Sequence, residues 1–142
     1  MRKYSLGFIF NSSLSHVLLI HKNKPEWQRG KINGIGGKIE ENELPVVCIV
    51  RETMEEAGLQ TSEKDWTYYG QIINGDKSTS QLFYCTYKGS QSDAKTHEDE
   101  EIEWFPVNNL PKNIMSNLSW LIPLALDKYY NHAIDTVKVV NV

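Results

Sequence analysis

Residues 37–59 read Gly37-Lys38-Ile39-Glu40-Glu41-Asn42-Glu43-Leu44-Pro45-Val46-Val47-Cys48-Ile49-Val50-Arg51-Glu52-Thr53-Met54-Glu55-Glu56-Ala57-Gly58-Leu59. Pro45 suits the first turn of a helix, where its missing N–H costs little, with Asn42 or Glu43 near the N-cap. Gly58 is placed to end that helix in the left-handed conformation. Val46, Val47, Ile49, Val50, Met54 and Ala57 give it an apolar side. Opposite them, Glu55 and Glu56 follow Glu52 by three and four residues, so all three carboxylates project toward one side. Like charges at those spacings repel and weaken an isolated helix. Oxygen ligands grouped this way suit hard cations such as Mg2+ or Mn2+. A glutamate triplet by itself is more often a solvated helical face. The upstream segment tips the balance, because Gly34-Ile35-Gly36-Gly37 reads as a loop that permits close backbone approach. A glycine loop running into an acidic helix lets main-chain oxygens and carboxylates share a metal.

The segment resembles the Nudix box, the glycine, spaced glutamate and Arg-Glu-x-x-Glu-Glu-x-Gly pattern of the Nudix hydrolases. Gly37, Glu43, Arg51, Glu52, Glu55, Glu56 and Gly58 fall in register. Thr53 departs, standing where the family prefers a large aliphatic residue facing the core. The resemblance implies an α/β/α sandwich with a mixed β-sheet, and an enzyme that uses divalent metal to cleave a nucleoside diphosphate linked to another group. It implies Glu52 and Glu56 as ligands, Glu55 helping to hold a second ion, and the Gly36 carbonyl completing one coordination sphere. It pairs Arg51 with Glu43, clamping the loop to the helix. Lys38, beside the glycines, has a claim on phosphate through simple charge.

Outside the box, His97-Glu98-Asp99-Glu100-Glu101 is an acidic run, by default a solvated loop. In MutT-type Nudix enzymes a glutamate of this loop reaches the metal or orients the water. Glu98 fits best by its distance from Trp104, with Asp99 and Glu100 as alternatives. Asn33-Gly34-Ile35-Gly36-Gly37-Lys38 resembles the segment of the oxidised-purine triphosphatases in which the asparagine reads the base. Asn117 sits where those enzymes place a second polar reader, although an asparagine there is as commonly a helix cap. Trp104 and Phe105 are candidates for an aromatic wall, with core packing the commoner fate for at least one of them.

The rest of the chain agrees with one domain spanning 1–142. A length of 142 residues with 40% hydrophobic and 23% charged residues is an ordinary globular balance. A net charge of -3 gives no electrostatic case for a nucleic-acid polymer or an anionic membrane. No apolar run approaches a membrane span, and the N-terminus reads as strand rather than signal peptide. Cys48 and Cys85 lack a partner pattern and read as small buried residues of a cytoplasmic protein. The four histidines show no zinc-ligand spacing. Periodicity predicts strands over 4–10, 16–21, 66–73, 81–87 and 102–107, a polar, loose connection over 88–95, a second helix over 117–130, and an edge strand over 135–142. Pro123 stands either near the first turn of that helix or at a kink within it. A homodimer, the commonest symmetric assembly, is the expected alternative to a monomer.

Three functions compete. The first is a metal-dependent nucleoside triphosphate pyrophosphatase acting on purine nucleotides, dATP or 8-oxo-dGTP. The second is a Nudix hydrolase of another derivative, such as a nucleotide-sugar, an alarmone or an RNA cap. The third is a Nudix module that binds nucleotide without cleaving it, which loss of box carboxylates would mark; all of them are present.

Overall fold

The computed structural model describes residues 1–132 and 134–141. Strands β1 (Arg2–Phe10), β2 (His16–His21), β3 (Ile32–Asn33) and β4 (Ile35–Lys38) precede helix α1 (Pro45–Ala57). Then come β5 (Trp66–Asn74), β6 (Ser78–Thr86), β7 (Ile102–Pro106), α2 (Leu118–Asn131) and β8 (Val137–Asn141). The strands form one eight-stranded sheet with a central path β3-β2-β1-β6-β5-β8. Off that path β4 pairs with β1, and β7 with β2. The β1–β6 and β5–β8 pairings are parallel and the others antiparallel, so the sheet is mixed.

Side-chain alternation along β1 explains the layering. Phe8 and Phe10, with Leu6 packed against them, face α2 through Leu118, Leu121, Ile122 and Ala125. Ile9 faces the other way, into a cluster with Ile49 and Ala57 of α1. One helix covers each face, giving the α/β/α sandwich. Each fully buried Leu, Ile or Phe contributes about 1.5–3 kcal/mol relative to exposure. The buried Tyr69 hydroxyl donates to the Leu121 carbonyl at 3.1 Å, tying β5 to α2. Pro123 lies inside α2, beyond its first turn, where it cannot donate the usual helical bond to Ser119.

Several sequence expectations need correction. The glycine segment is not a loop: residues 35–38 form β4, whose Gly36 pairs with Leu6. A Cβ on Gly36 would come within 2.1 Å of the Ser5 carbonyl oxygen, so the glycine is needed for strand-to-strand contact. Leu44, not Asn42 or Glu43, is the N-cap of α1, and no side chain caps it. Met54 is exposed, whereas Cys48 and Thr53 are buried on the core side of α1. The Thr53 hydroxyl donates to the Ile49 carbonyl at 2.7 Å, so it brings no unpaired polar group into the core. The 88–95 connection is anchored rather than loose: Gln91 accepts from Asn11 Nδ2 at 2.8 Å through Oε1 and from Trp104 Nε1 at 2.9 Å through its carbonyl. The predicted strand over 135–142 begins at Val137, and its last residue, Val142, lies outside the described residues.

Candidate active site

Helix α1 runs beneath β4 and delivers its acidic side chains to the glycines. Glu56 is 4% exposed, and its Oε1 accepts the Gly36 N–H at 3.0 Å. The Glu52 carboxylate lies against Gly37, where an added Cβ would stand 2.4 Å from Oε1. Glycine at 37 therefore makes room for a carboxylate. Burial, then the Glu52 charge and more weakly that of Glu98, push the Glu56 carboxyl up to about 8, against the Gly36 N–H and Lys22. Burial is also the main cause raising Glu52; Arg51 opposes it, while Glu55 and Glu98 add to it. Glu98 is exposed on its loop yet close enough for its charge to be felt at both carboxylates.

Glu55 is half-exposed and lies 3.2 Å from Arg51 Nη1, the nitrogen that also holds Glu52. Arg51 is the hub of this corner. Its Nε and Nη2 donate to the two oxygens of Glu43 at 2.8 and 3.0 Å, a bidentate pairing. Its Nη1 donates to Glu52 Oε1 at 2.9 Å, and Nη2 also reaches the Lys38 carbonyl at 3.2 Å. Glu43 additionally accepts the Glu40 N–H at 3.0 Å, and the Arg51 hydrogen bonds hold its carboxyl down at about 2. Gly58 ends α1 at a φ of 65°. The free, buried Cys48 thiol leans on the Gly37 and Lys38 carbonyls, and burial raises it to about 11. Among the described residues, no three His, Cys, Asp or Glu side chains close around one point as a finished metal cluster.

Beside Gly36 and Gly37 opens a cavity of about 870 Å³, large for a small-molecule site. Asn33 and Asn117 both line it. Asn33 Oδ1 accepts from Gly34 N–H at 2.8 Å, and its Nδ2 donates to Gln28 at 3.1 Å. Asn117 precedes α2 but makes no side-chain cap bond, and its buried Oδ1 has no hydrogen-bond partner among the described residues. Glu52, Glu55, Glu56 and Glu98 do not line this cavity, and neither do two of the four expected substrate-binding residues. Lys38 is exposed at the end of β4, while the lysines lining the cavity are Lys22 and Lys77. Trp104 packs against the α1-side core, with its ring N–H given to Gln91. The aromatic walls are instead Tyr4, Trp27 and Trp120. Trp27 is 70% exposed, on a single 3-10 turn (Glu26–Gln28) of the connection after β2. A tryptophan isolated in a polar connection was the available signal for it.

The chain matches the NUDIX domain family over residues 2–123. It belongs to the Nudix family. General Nudix-type phosphohydrolase activity on nucleotide-derived substrates comes with that membership. Solved structures share the fold at low identity. A MutT Nudix hydrolase from Burkholderia pseudomallei is 18% identical with a TM-score of 0.72, covering 87% of this chain and 96% of that one. The Nudix domain of Shewanella oneidensis NrtR, solved with ADP ribose, is 15% identical with a TM-score of 0.73, covering 89% and 87%. A Caenorhabditis elegans Ap4A hydrolase is 16% identical with a TM-score of 0.68, covering 87% and 94%. Among the described residues of this Nudix chain, no helix is long and apolar enough to cross a membrane.

Proposed function

We propose that this Nudix protein, with 1–142 as one domain, is a metal-dependent pyrophosphatase of purine (deoxy)nucleoside triphosphates. It releases nucleoside monophosphate and pyrophosphate and serves to sanitise the nucleotide pool, with dATP and 8-oxo-dGTP the leading substrates. The observation that carries the reading is the unpartnered Asn117 Oδ1 at a cavity that also holds Asn33 and borders the box glycines. A buried acceptor left without a donor costs free energy, and a base amino or ring N–H would remove that cost. An amide offers donor and acceptor side by side, which matches the N6/N7 edge of adenine. Rotated, it accepts from a protonated N7 and donates to O6, the pattern of 8-oxo-guanine.

The box fits a hard divalent cation by the chemistry of its donors. Burial raises both Glu52 and Glu56; the charges of Glu55 and Glu98 add to it at Glu52, and those of Glu52 and Glu98 at Glu56, a state that a nearby positive charge relieves. With the Gly36 carbonyl, Glu52 and Glu56 would hold Mg2+ or Mn2+, with Glu55 and Glu98 adjoining. Bound there, the ion neutralises phosphate charge and lowers the pKa of a water. The chain's own residues do the rest. Arg51 orients Glu52, the Gly36 N–H fixes Glu56, and Glu98, whose charge is felt at both carboxylates, would orient the attacking water. Asn33 and Asn117 hold the base, and Trp27 and Trp120 exclude water from its faces.

Competition among dATP, 8-oxo-dGTP, dCTP and dTTP tests this reading in wild type and Asn117→Ala. Wild type should prefer purines by roughly tenfold or more, and the variant should lose much of that preference. An unchanged ratio with lowered thermal stability would reduce Asn117 to a helix-start residue and remove the base assignment.

A further inference from the structure

Glu100 is buried, and its carboxylate is engaged away from the box. It accepts the main-chain N–H groups of Asn23 at 2.5 Å and Lys24 at 3.1 Å, and Lys22 Nζ at 3.0 Å. Burial alone would raise this carboxyl; those three bonds outweigh it and hold it below the usual range. Asn23 Nδ2 also reaches the Asp99 carbonyl at 3.3 Å. The gripped residues lead directly into the turn bearing Trp27 and Gln28, and Gln28 accepts from Asn33 at 3.1 Å. Two residues before Glu100 stands Glu98, whose charge is felt at Glu52 and Glu56. Two residues after it, β7 begins at Ile102 and fixes the far end to the sheet.

We propose that Glu100 is a positioning residue that pins the Trp27–Gln28 wall of the cavity to the loop carrying Glu98, and so sets nucleotide affinity rather than the chemical step. Only an ionised carboxylate serves three donors at once. A glutamine in its place turns an NH2 toward at least one of them, leaving that donor unpaired. The consequence for affinity rests on the cavity being the nucleotide site; the pin itself does not.

Glu100→Gln is therefore tested in two arms. Without nucleotide, hydrogen exchange should quicken by roughly tenfold at the Asn23 and Lys24 amides and stay unchanged in the core strands. Acrylamide quenching assigned to Trp27, by difference from Trp27→Phe, should rise. With dATP and Mg2+, KM should rise by about tenfold while kcat stays within about twofold of wild type. Unchanged exchange at Asn23 and Lys24 overturns the proposal. So does a large fall in kcat at constant KM, which would place Glu100 in the chemical machinery, or exchange that quickens equally in the core strands, which would make its role general stability. If wild type fails to turn over dATP, the pyrophosphatase reading falls, and the exchange arm alone decides whether the pin exists.

Discussion

Glu56→Gln should stabilise the metal-free protein at alkaline pH while disabling it as an enzyme. In the unfolded chain this carboxyl titrates near its ordinary 4.5, and in the folded protein burial and Glu52 raise it to about 8. Below pH 4.5 both states hold the proton and the group contributes nothing. Between 4.5 and about 8 the unfolded chain has released its proton and the folded one has not, so stability falls as pH rises. Above about 8 the cost is complete. At about 1.4 kcal/mol per pH unit, the difference sets a ceiling of about 5 kcal/mol. Glutamine copies the shape of the neutral acid and its oxygen can keep the Gly36 N–H bond, so it escapes this cost. Urea denaturation in EDTA at about pH 5 and about pH 8 measures the effect. The wild type should weaken between the two, and the variant should be the more stable at the higher pH by about 2–5 kcal/mol. Mg2+ should restore the wild type and leave the variant nearly unmoved. A variant less stable than wild type at pH 8 in EDTA would falsify the placement of Glu56 as a buried, repelled carboxylate.

The same substitution should lower turnover by about two to four orders of magnitude at saturating nucleotide, measured as pyrophosphate release. Glu43→Gln should act through stability instead, costing about 1–3 kcal/mol in thermal or urea unfolding, because it breaks the bidentate pairing that holds Arg51. Since the Glu43 carboxyl is held at about 2, its contribution is present above about pH 4.5 and is lost as pH falls toward 2. The variant should therefore lack that part of the acid unfolding curve. Trp120→Ala should raise KM for purine triphosphates by about tenfold or more if the ring stacks on the base, and an unchanged KM would remove it from the site.

The fold was legible because its signals are local. Pro45 and Gly58 bracket α1, and the β2 and β7 periodicities place those strands to within a residue. The glycine segment misled because a glycine-rich run has no alternation of side chains to read. Its strand character comes from Ser5 on another strand, a contact no local pattern reveals. Hydrophobicity alone assigns Met54 to the core, although the helix turns Thr53 inward and finds its hydroxyl a partner on Ile49. The box places Glu52 and Glu56 against the glycines, while Glu55 is half-exposed at the Arg51 nitrogen that also holds Glu52. The cavity was less legible: Lys38 lies in the box and Trp104 far beyond it on β7, and neither lines the cavity. The lining residues Lys22 and Trp27 come from the β2–β3 connection and Trp120 from α2, two segments distant in sequence. Nothing in the acidic run itself separates Glu100 from Glu98; the distinction lies in Glu100's partners on the β2–β3 connection.

One reaction tests the central claim most directly: hydrolysis of dATP with Mg2+ in oxygen-18 water, with products identified by mass. The account predicts dAMP and pyrophosphate as first products with the label in the pyrophosphate, from attack of water at the β-phosphorus. Label in dAMP would move the attack to the α-phosphorus. Orthophosphate as the first product, or no turnover of any purine triphosphate by the metal-loaded protein, would contradict the account.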